Sequence, residues 1–321
     1  MSSATRVAVR ATSHRDPAPP PRPAQRRTPL RVRARQSGTL WWVLPAVALS
    51  FLFVLYPVLE TFRLSVYEWP GLGPLTFVGL GNFTDLLVNP EFWHSLKNNM
   101  LFAVLLTGGT IGLGLLFALA IAGRVRFWRT YQFIIFLPHI LPVTVVAILW
   151  TNSLDPNYGW LTQLLRPVNP EWSDLLGNPS TAMLVICLVS IWQHAGFPMV
   201  MFAGALSSLP AEVIEAGRLD GANAVQMATR IQLPLIRDVI ATVVLLQLIF
   251  SFKVFDIVQA MTAGGPGSAT QVLGTLIYRS AYTDGDFGMA SATAVLASLI
   301  ITVISFIYLF FLRPAKMERN G

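Results

Sequence analysis

The side chains able to do chemistry are few and widely spaced. One cysteine, Cys187, excludes an intrachain disulfide and a cysteine-based zinc cluster, and four histidines (His14, His94, His139, His194) stand singly, which argues against a histidine metal site. A metal-dependent transferase needs clustered carboxylates, and covalent catalysis needs a base beside its nucleophile. The acids Glu68, Asp85, Glu91, Asp155, Glu171, Asp174, Asp284 and Asp286 show no such spacing, Asp284 and Asp286 together being a weak signal. No G-x-x-x-x-G-K-[ST] loop is present, so this chain supplies no nucleotide site of that type. One pair stands apart: Lys253 and Asp256 lie in an apolar run, and three residues apart on a helix they share a face. Each charge at mid-bilayer would cost about 2.5–3.5 kcal/mol. They are therefore expected either to line a polar path through a bundle or to form a structural ion pair. Glu60 reads as interfacial, and Trp192, Gln193 and Gln247 are not assigned as ligands.

The elements around these residues are set by composition. Of 321 residues, 54% are hydrophobic and 12% charged, where a soluble domain carries about a quarter charged. Mean hydropathy is +0.57. A helix needs roughly 20 apolar residues to cross a bilayer, and six stretches qualify: 40–62, 100–122, 131–153, 182–206, 239–261 and 289–312. The chain is thus expected to be an all-α integral membrane protein, a six-helix transmembrane bundle. Pro45, Pro57, Pro138, Pro142 and Pro198 predict kinks within these spans. Gly108 and Gly112 give a small-xxx-small face for close helix packing.

Charge sets the expected direction. Eighteen of the 23 basic residues fall on one side: nine arginines before residue 40, then Arg124, Arg126, Arg129, Arg218, Arg230, Arg237, Arg313, Lys316 and Arg319. Arg63, Lys97, Arg166 and Arg279 fall on the other. The basic side is expected to be cytoplasmic, with both termini inside. The pI near 10 is then a topology signal and not a mark of nucleic-acid binding. Residues 1–39, rich in arginine and proline, read as a disordered basic cytoplasmic tail, 40–312 as the six-span domain, and 313–321 as a short cytoplasmic tail. The first apolar run is too long for a cleavable signal peptide. Trp41, Trp42 and Trp128 are expected at the cytoplasmic interface, and Trp69, Trp93, Trp160 and Trp172 in the external connections.

One cytoplasmic connection, 207–237, is longer than a link requires. Pro210 and Glu212 suit a helix start. Asp220 is expected to cap a second short helix, Gly221 to permit the bend between the two, and Leu233-Pro234 to end the second. Two short helices joined at a bend predict a protruding knob.

Within that loop, Glu215-Ala216-Gly217, three residues, Gly221, nine residues, then Ile231-x-Leu233-Pro234 resembles the EAA motif in permease subunits of binding-protein-dependent ABC importers. Gly217 departs from the family, which usually has alanine there. Glycine in a helix interior costs up to about 1 kcal/mol, so a looser knob is expected. Phe252-Lys253-Val254-Phe255-Asp256, Thr262-Ala263-Gly264-Gly265-Pro266, Tyr278 to Tyr282, Gly288 to Ala292 and Gly79-Leu80-Gly81-Asn82-Phe83 resemble the carbohydrate-uptake, maltose-type branch. The likeness covers about 40–312.

This resemblance implies the type I importer permease fold with cytoplasmic coupling helices, in a bacterial cell membrane. It implies a non-catalytic subunit working with a second homologous permease, two cytoplasmic ATPases that bind ATP and Mg, and an extracytoplasmic solute-binding protein. Glu215, Ala216, Gly217, Asp220, Gly221, Ile231, Leu233 and Pro234 would form the ATPase-coupling surface. A sugar, a polyol or a glycerol-phosphate diester would all suit as solute. A lipid-linked intramembrane transferase is disfavoured by the scattered acids, and a secondary transporter by the lack of an internal repeat.

Overall fold

The structure, a computed structural model, describes residues 36–123 and 126–311, without the side chains of 36–42 and Glu171. The expected basic tail up to residue 35, the tail 313–321 and Arg124 lie outside the described residues. The chain divides into two compact units, Met1–Phe51 and Leu52–Gly321. In the first, helix α1 (Gln36–Ser50) holds Pro45 and starts inside the stretch expected to be tail.

The second unit opens at Leu52, within a π-helical turn (Phe51–Leu55), and continues into α2 (Tyr56–Leu64). Arg63 reaches back one turn to fork the Glu60 carboxylate, its Nε 2.9 and 3.0 Å from the two oxygens. A short antiparallel hairpin follows, β1 (Tyr67–Glu68) pairing with β2 (Thr76–Phe77), then α3 (Gly81–Val88). Next comes α4 (Pro90–Ala122), 33 residues and about 50 Å long, so it outreaches the bilayer core. Asn89 caps it by accepting from Glu91 N at 2.9 Å, with Pro90 in the first turn.

The third span is broken. Helix α5 (Trp128–Ile140) and α6 (Val143–Ser153) meet at 94°. Leu141 precedes a proline and is extended, as the ring of Pro142 requires, so the expected kink is a full break. A short helix α7 (Trp160–Leu165) leads to α8 (Ala182–His194) and α9 (Gly196–Ser207), which together cross as one span.

Then come the loop helices α10 (Ala211–Leu219), α11 (Ala224–Gln226), a π-helical stretch (Met227–Gln232) and α12 (Leu233–Leu235). Helix α13 (Arg237–Phe252) leaves this stretch at 74° and ends nine residues before the expected span end. After a break come α14 (Asp256–Met261), α15 (Leu273–Tyr282) and the last span, α16 (Phe287–Phe311). Among the described residues, four apolar helical segments are long enough to cross, or six if each bent pair counts as one.

Helix α4 is the central post, packed against α8, α9, α13 and α15. The glycines that permit this are not the expected pair. A methyl at Gly108 or Gly112 would meet nothing within 4 Å, whereas one at Gly109 would lie 2.6 Å from the Ile191 side chain and one at Gly114 2.7 Å from Pro198. The rotation of α4 turns those two glycines, and not Gly108 and Gly112, toward α8 and α9. One apolar core joins Phe102, Leu106, Val146, Ile186 and Val258; a second, nearer the loop helices, joins Ala118, Phe202, Leu206, Ile236 and Val243.

Candidate functional site

The knob is built from local hydrogen bonding. Pro210 stands at the N-cap of α10, one position ahead of the first turn, and Glu212 lies in that turn. At the other end, Ala222 N donates to Gly217 O at 3.0 Å and Gly221 N to Arg218 O at 3.1 Å, the two bonds of a Schellman stop. Gly221 has φ +77°, a conformation costly to a residue with a Cβ. Asp220 is the last cap of α10 and does not start the next helix. That role falls to Asn223, whose Oδ1 accepts from Gln226 N at 2.9 Å while Gln226 Oε1 accepts from Asn223 N at 3.0 Å. This capping box satisfies two backbone donors, so Asn223 and not Asp220 caps the second helix.

The two arms of the knob touch at Gly217. It is buried, and a Cβ there would lie 2.6 Å from Ile231 Cδ1 and 2.9 Å from Met227 Cε. Gly217 therefore lets the second arm close onto the first, the opposite of the expected loosening. Ile231 and Leu233 are half-buried, and Leu233 packs against the core containing Ile236 and Val243 at the root of α13. Pro234 lies in the first turn of α12, so the helix runs through it and ends at Ile236, not at Leu233-Pro234. Glu215, Ala216, Asp220 and Gly221 stay exposed, as do Leu219 at 89% and Val225 at 70%. The tip thus carries bare apolar side chains beside acids that form no salt bridge among the described residues.

The fifth span is stitched where it breaks. Lys253 caps the end of α13 and Asp256 starts α14, so they do not share a helix face. Both are exposed, and among the described residues they form no salt bridge with each other. The break is held from α4: Asn99 Nδ2 donates to Phe252 O at 3.3 Å and Asn99 Oδ1 accepts from Leu273 N at 2.8 Å. One buried carboxamide thus serves the end of α13 and the start of α15. Asn98 donates to Ala269 O and Gln271 O, both at 2.9 Å, fixing the returning loop. A methyl at Gly274 would lie 2.7 Å from Val254 O, so α15 sits directly on the break.

Other polar residues of the spans are also structural. Gln247 donates to Thr110 at 2.8 Å, tying α13 to α4, and Gln193 donates to Leu141 O at 3.2 Å, across the break in the third span. The separate histidines His139 and His194 come together with ring centroids 5.4 Å apart. Asp284 lies 3.7 Å from Arg279, and Asp286 caps α16 by accepting from Met289 N at 2.8 Å. The Gly79-to-Phe83 motif meets the Gly288 motif: Asn82 donates to Ser65 O and Tyr67 O at 2.9 Å, and Gly288 packs so closely on Tyr67 O that a side chain has no room. Polar residues inside apolar runs were the signal for Asn99 and Gln247, but their partners lie too far along the chain to read from spacing.

Residues 110–315 match the family described as binding-protein-dependent transport system inner membrane component. The chain is 34% identical over 285 residues to a probable ABC transporter permease, YurN, of Bacillus subtilis, with 86% of this chain and 96% of the relative covered. It is 30% identical over 284 residues to the trehalose/maltose permease MalF of Thermococcus litoralis, covering 87% and 95%. The sn-glycerol-3-phosphate permease UgpA of Yersinia pseudotuberculosis is 31% identical over 269 residues, covering 82% and 91%. In fold it is similar to a chain of a bacterial ABC transporter for import of the acidic polysaccharide alginate, with TM-score 0.77 at 24% identity over 88% of this chain and 97% of that one. The apolar spans, the knob at the root of α13 and these matches lead to one conclusion: the chain belongs to the inner membrane component family of binding-protein-dependent transport systems, and is a multi-pass permease subunit of an ABC importer.

Proposed function

We propose that this permease carries a sugar or related polar solute across the plasma membrane, coupled to ATP hydrolysis by partner subunits. The complete importer would hold a second homologous permease, two cytoplasmic ABC ATPases that bind ATP and Mg, and an extracytoplasmic solute-binding protein. The observation that carries the coupling is the Gly217–Ile231 junction. It makes the two arms of the knob one rigid piece, rooted through Leu233 and Ile236 in the core from which α13 rises. Force applied at Glu215, Ala216, Asp220 and Gly221 would then reach α13 without being lost in a flexible loop.

The knob is assigned to the cytoplasm by the basic residues around it, and both termini with it. The external protein would deliver the solute, ATP binding would turn the cavity outward, and hydrolysis would reset it. Lys253 and Asp256 flank the break at the far end of α13 and are proposed to border the solute path. Sugar is favoured by the trehalose/maltose relative, and a glycerol-phosphate compound is the second reading, favoured by the sn-glycerol-3-phosphate relative. Testing maltose, trehalose and glycerol 3-phosphate against the cognate external binding protein separates the two. Uptake by the permease without any ATPase would overturn the importer mechanism.

A further inference from the structure

We infer that the cleft beyond the C-terminal end of α13 is a subsite for one neutral polyhydroxylated ring, an inference that rests on the importer reading above. The cleft has a volume of about 320 Å³, and Gln259, Gln271, Thr275, Tyr278, Arg279 and Thr283 line it. That volume lies at the small end of ligand pockets. It is separated from the knob by the whole of α13, 16 residues and about 24 Å. On the orientation proposed above it faces outward.

Gln271 is the telling residue. It is only 3% exposed, and its backbone is clamped by Asn98 Nδ2 on its carbonyl and by its own N–H on Ser268 O at 3.0 Å. Among the described residues its side-chain carboxamide nevertheless has no hydrogen-bond partner, although it lines the cleft. Its polar atoms are not sealed off but stay open to the cleft, where a ligand can reach them. Two donors and one acceptor on a fixed stem match adjacent hydroxyls of a sugar or polyol. Half-buried Gln259, across the cleft on α14, also has a carboxamide free of intrachain bonds.

The remaining wall supplies an apolar face and removes charge. Tyr278 lies between Phe255 and Tyr282 in tilted ring contacts, with centroids at 5.5 and 5.1 Å, and keeps part of its ring open to the cleft. An aromatic body with a polar tip suits the C–H face and hydroxyl rim of a sugar ring. Arg279 would attract an anion, but Glu91 at 3.3 Å and Asp284 at 3.7 Å already compensate its guanidinium. The cleft is therefore suited to a neutral ring. Neither Lys253 nor Asp256 lines it.

The test uses the purified complex of both permeases and both ATPases without the binding protein. Saturation-transfer NMR with maltose, trehalose and glycerol 3-phosphate as probes reads weak binding directly. Uptake of the same probes by the complete importer in proteoliposomes checks the importer reading separately. Transfer from aromatic protons to a disaccharide is expected, none to glycerol 3-phosphate, and disaccharide affinity should fall about tenfold in Gln271→Leu, the loss of one buried hydrogen bond. Tyr278→Ala should lose the transfer and Tyr278→Phe keep it. Gln259→Leu, at a side chain with no intrachain bond to lose, supplies a second variant if Gln271→Leu fails to assemble, and should also weaken binding. Disaccharide binding unchanged in these variants, absent from the wild-type complex, or exceeded by glycerol 3-phosphate binding would overturn the subsite. Uptake of a disaccharide in those cases would leave the importer reading standing, and lack of ATP-driven uptake of every probe would remove the sugar reading itself.

Discussion

Ile231 fills the space that a side chain at Gly217 would take: the methyl that Gly217 lacks would lie 2.6 Å from Ile231 Cδ1. The two residues belong to different arms of the knob, 14 positions apart, and this contact joins them. Both neighbours of the missing methyl, Ile231 Cδ1 and Met227 Cε, are ends of side chains that can swing aside. Gly217→Ala should therefore be tolerated, since a helix-propensity gain of up to about 1 kcal/mol offsets the crowding. Gly217→Leu adds too much volume and should destabilise the junction by about 1–3 kcal/mol. ATP hydrolysed per solute imported should stay near wild type in the first variant and rise in the second; an equal response to both would refute the packing role.

The Schellman stop at Gly221 gives a second expectation. A left-handed conformation costs a β-branched residue roughly 1–2 kcal/mol, and asparagine less. Gly221→Val should lower transport more than Gly221→Asn, with both proteins still inserted in the membrane. Equal transport by the two would mean that the φ of +77° is not what the position requires.

Asn99 is expected to matter for stability, because one buried carboxamide serves two helix ends. Asn99→Leu leaves Phe252 O and Leu273 N without their partner, at about 1–3 kcal/mol for each buried group left unpaired. Thermal unfolding of the purified complex should show a clearly lower midpoint. Asn99→Asp keeps the acceptor for Leu273 N and should fall between wild type and the leucine variant; a leucine variant as stable as wild type would exclude the stitch.

Gly288 makes a comparable demand in the outer connections. A methyl there collides with Tyr67 O, which also accepts from Asn82 at 2.9 Å, and backbone cannot swing aside as a side-chain end can. Gly288→Ala should reduce the yield of assembled permease, whereas Gly108→Ala, where nothing lies within 4 Å, should not. Pull-down of the ATPase from membranes measures both, and equal yields would place the close approach in doubt.

Much of this architecture is legible in the sequence because its causes are local. Apolar run length gives the spans, and the knob's helix–bend–helix order follows from Pro210, Gly221 and the polar segment between them. What is not legible depends on partners far along the chain. Lys253 and Asp256 have the same spacing whether a helix continues or breaks, and the residue that holds the break open, Asn99, is 154 positions before Lys253. Gly217 looks like a helix weakness until Ile231 and Met227 are placed beside it. Gly108 and Gly112 match a packing motif by spacing, but it is Gly109 and Gly114 that α4 presents to Ile191 and Pro198, partners too far along the chain for spacing to reveal. The break at Leu141-Pro142 has a local cause, the proline ring, but its size, 94°, is not written in the proline alone.

The most direct test of the coupling assignment is ATP-driven uptake of maltose and trehalose by the complete importer carrying Glu215→Lys. Glu215 is exposed on the tip and forms no side-chain hydrogen bond or ion pair among the described residues, so the substitution should leave the fold and membrane insertion intact. The predicted result is that ATP hydrolysis continues while uptake is lost. Uptake at the wild-type rate and at the wild-type cost in ATP would contradict the assignment of 211–235 as the surface that receives the ATPase stroke.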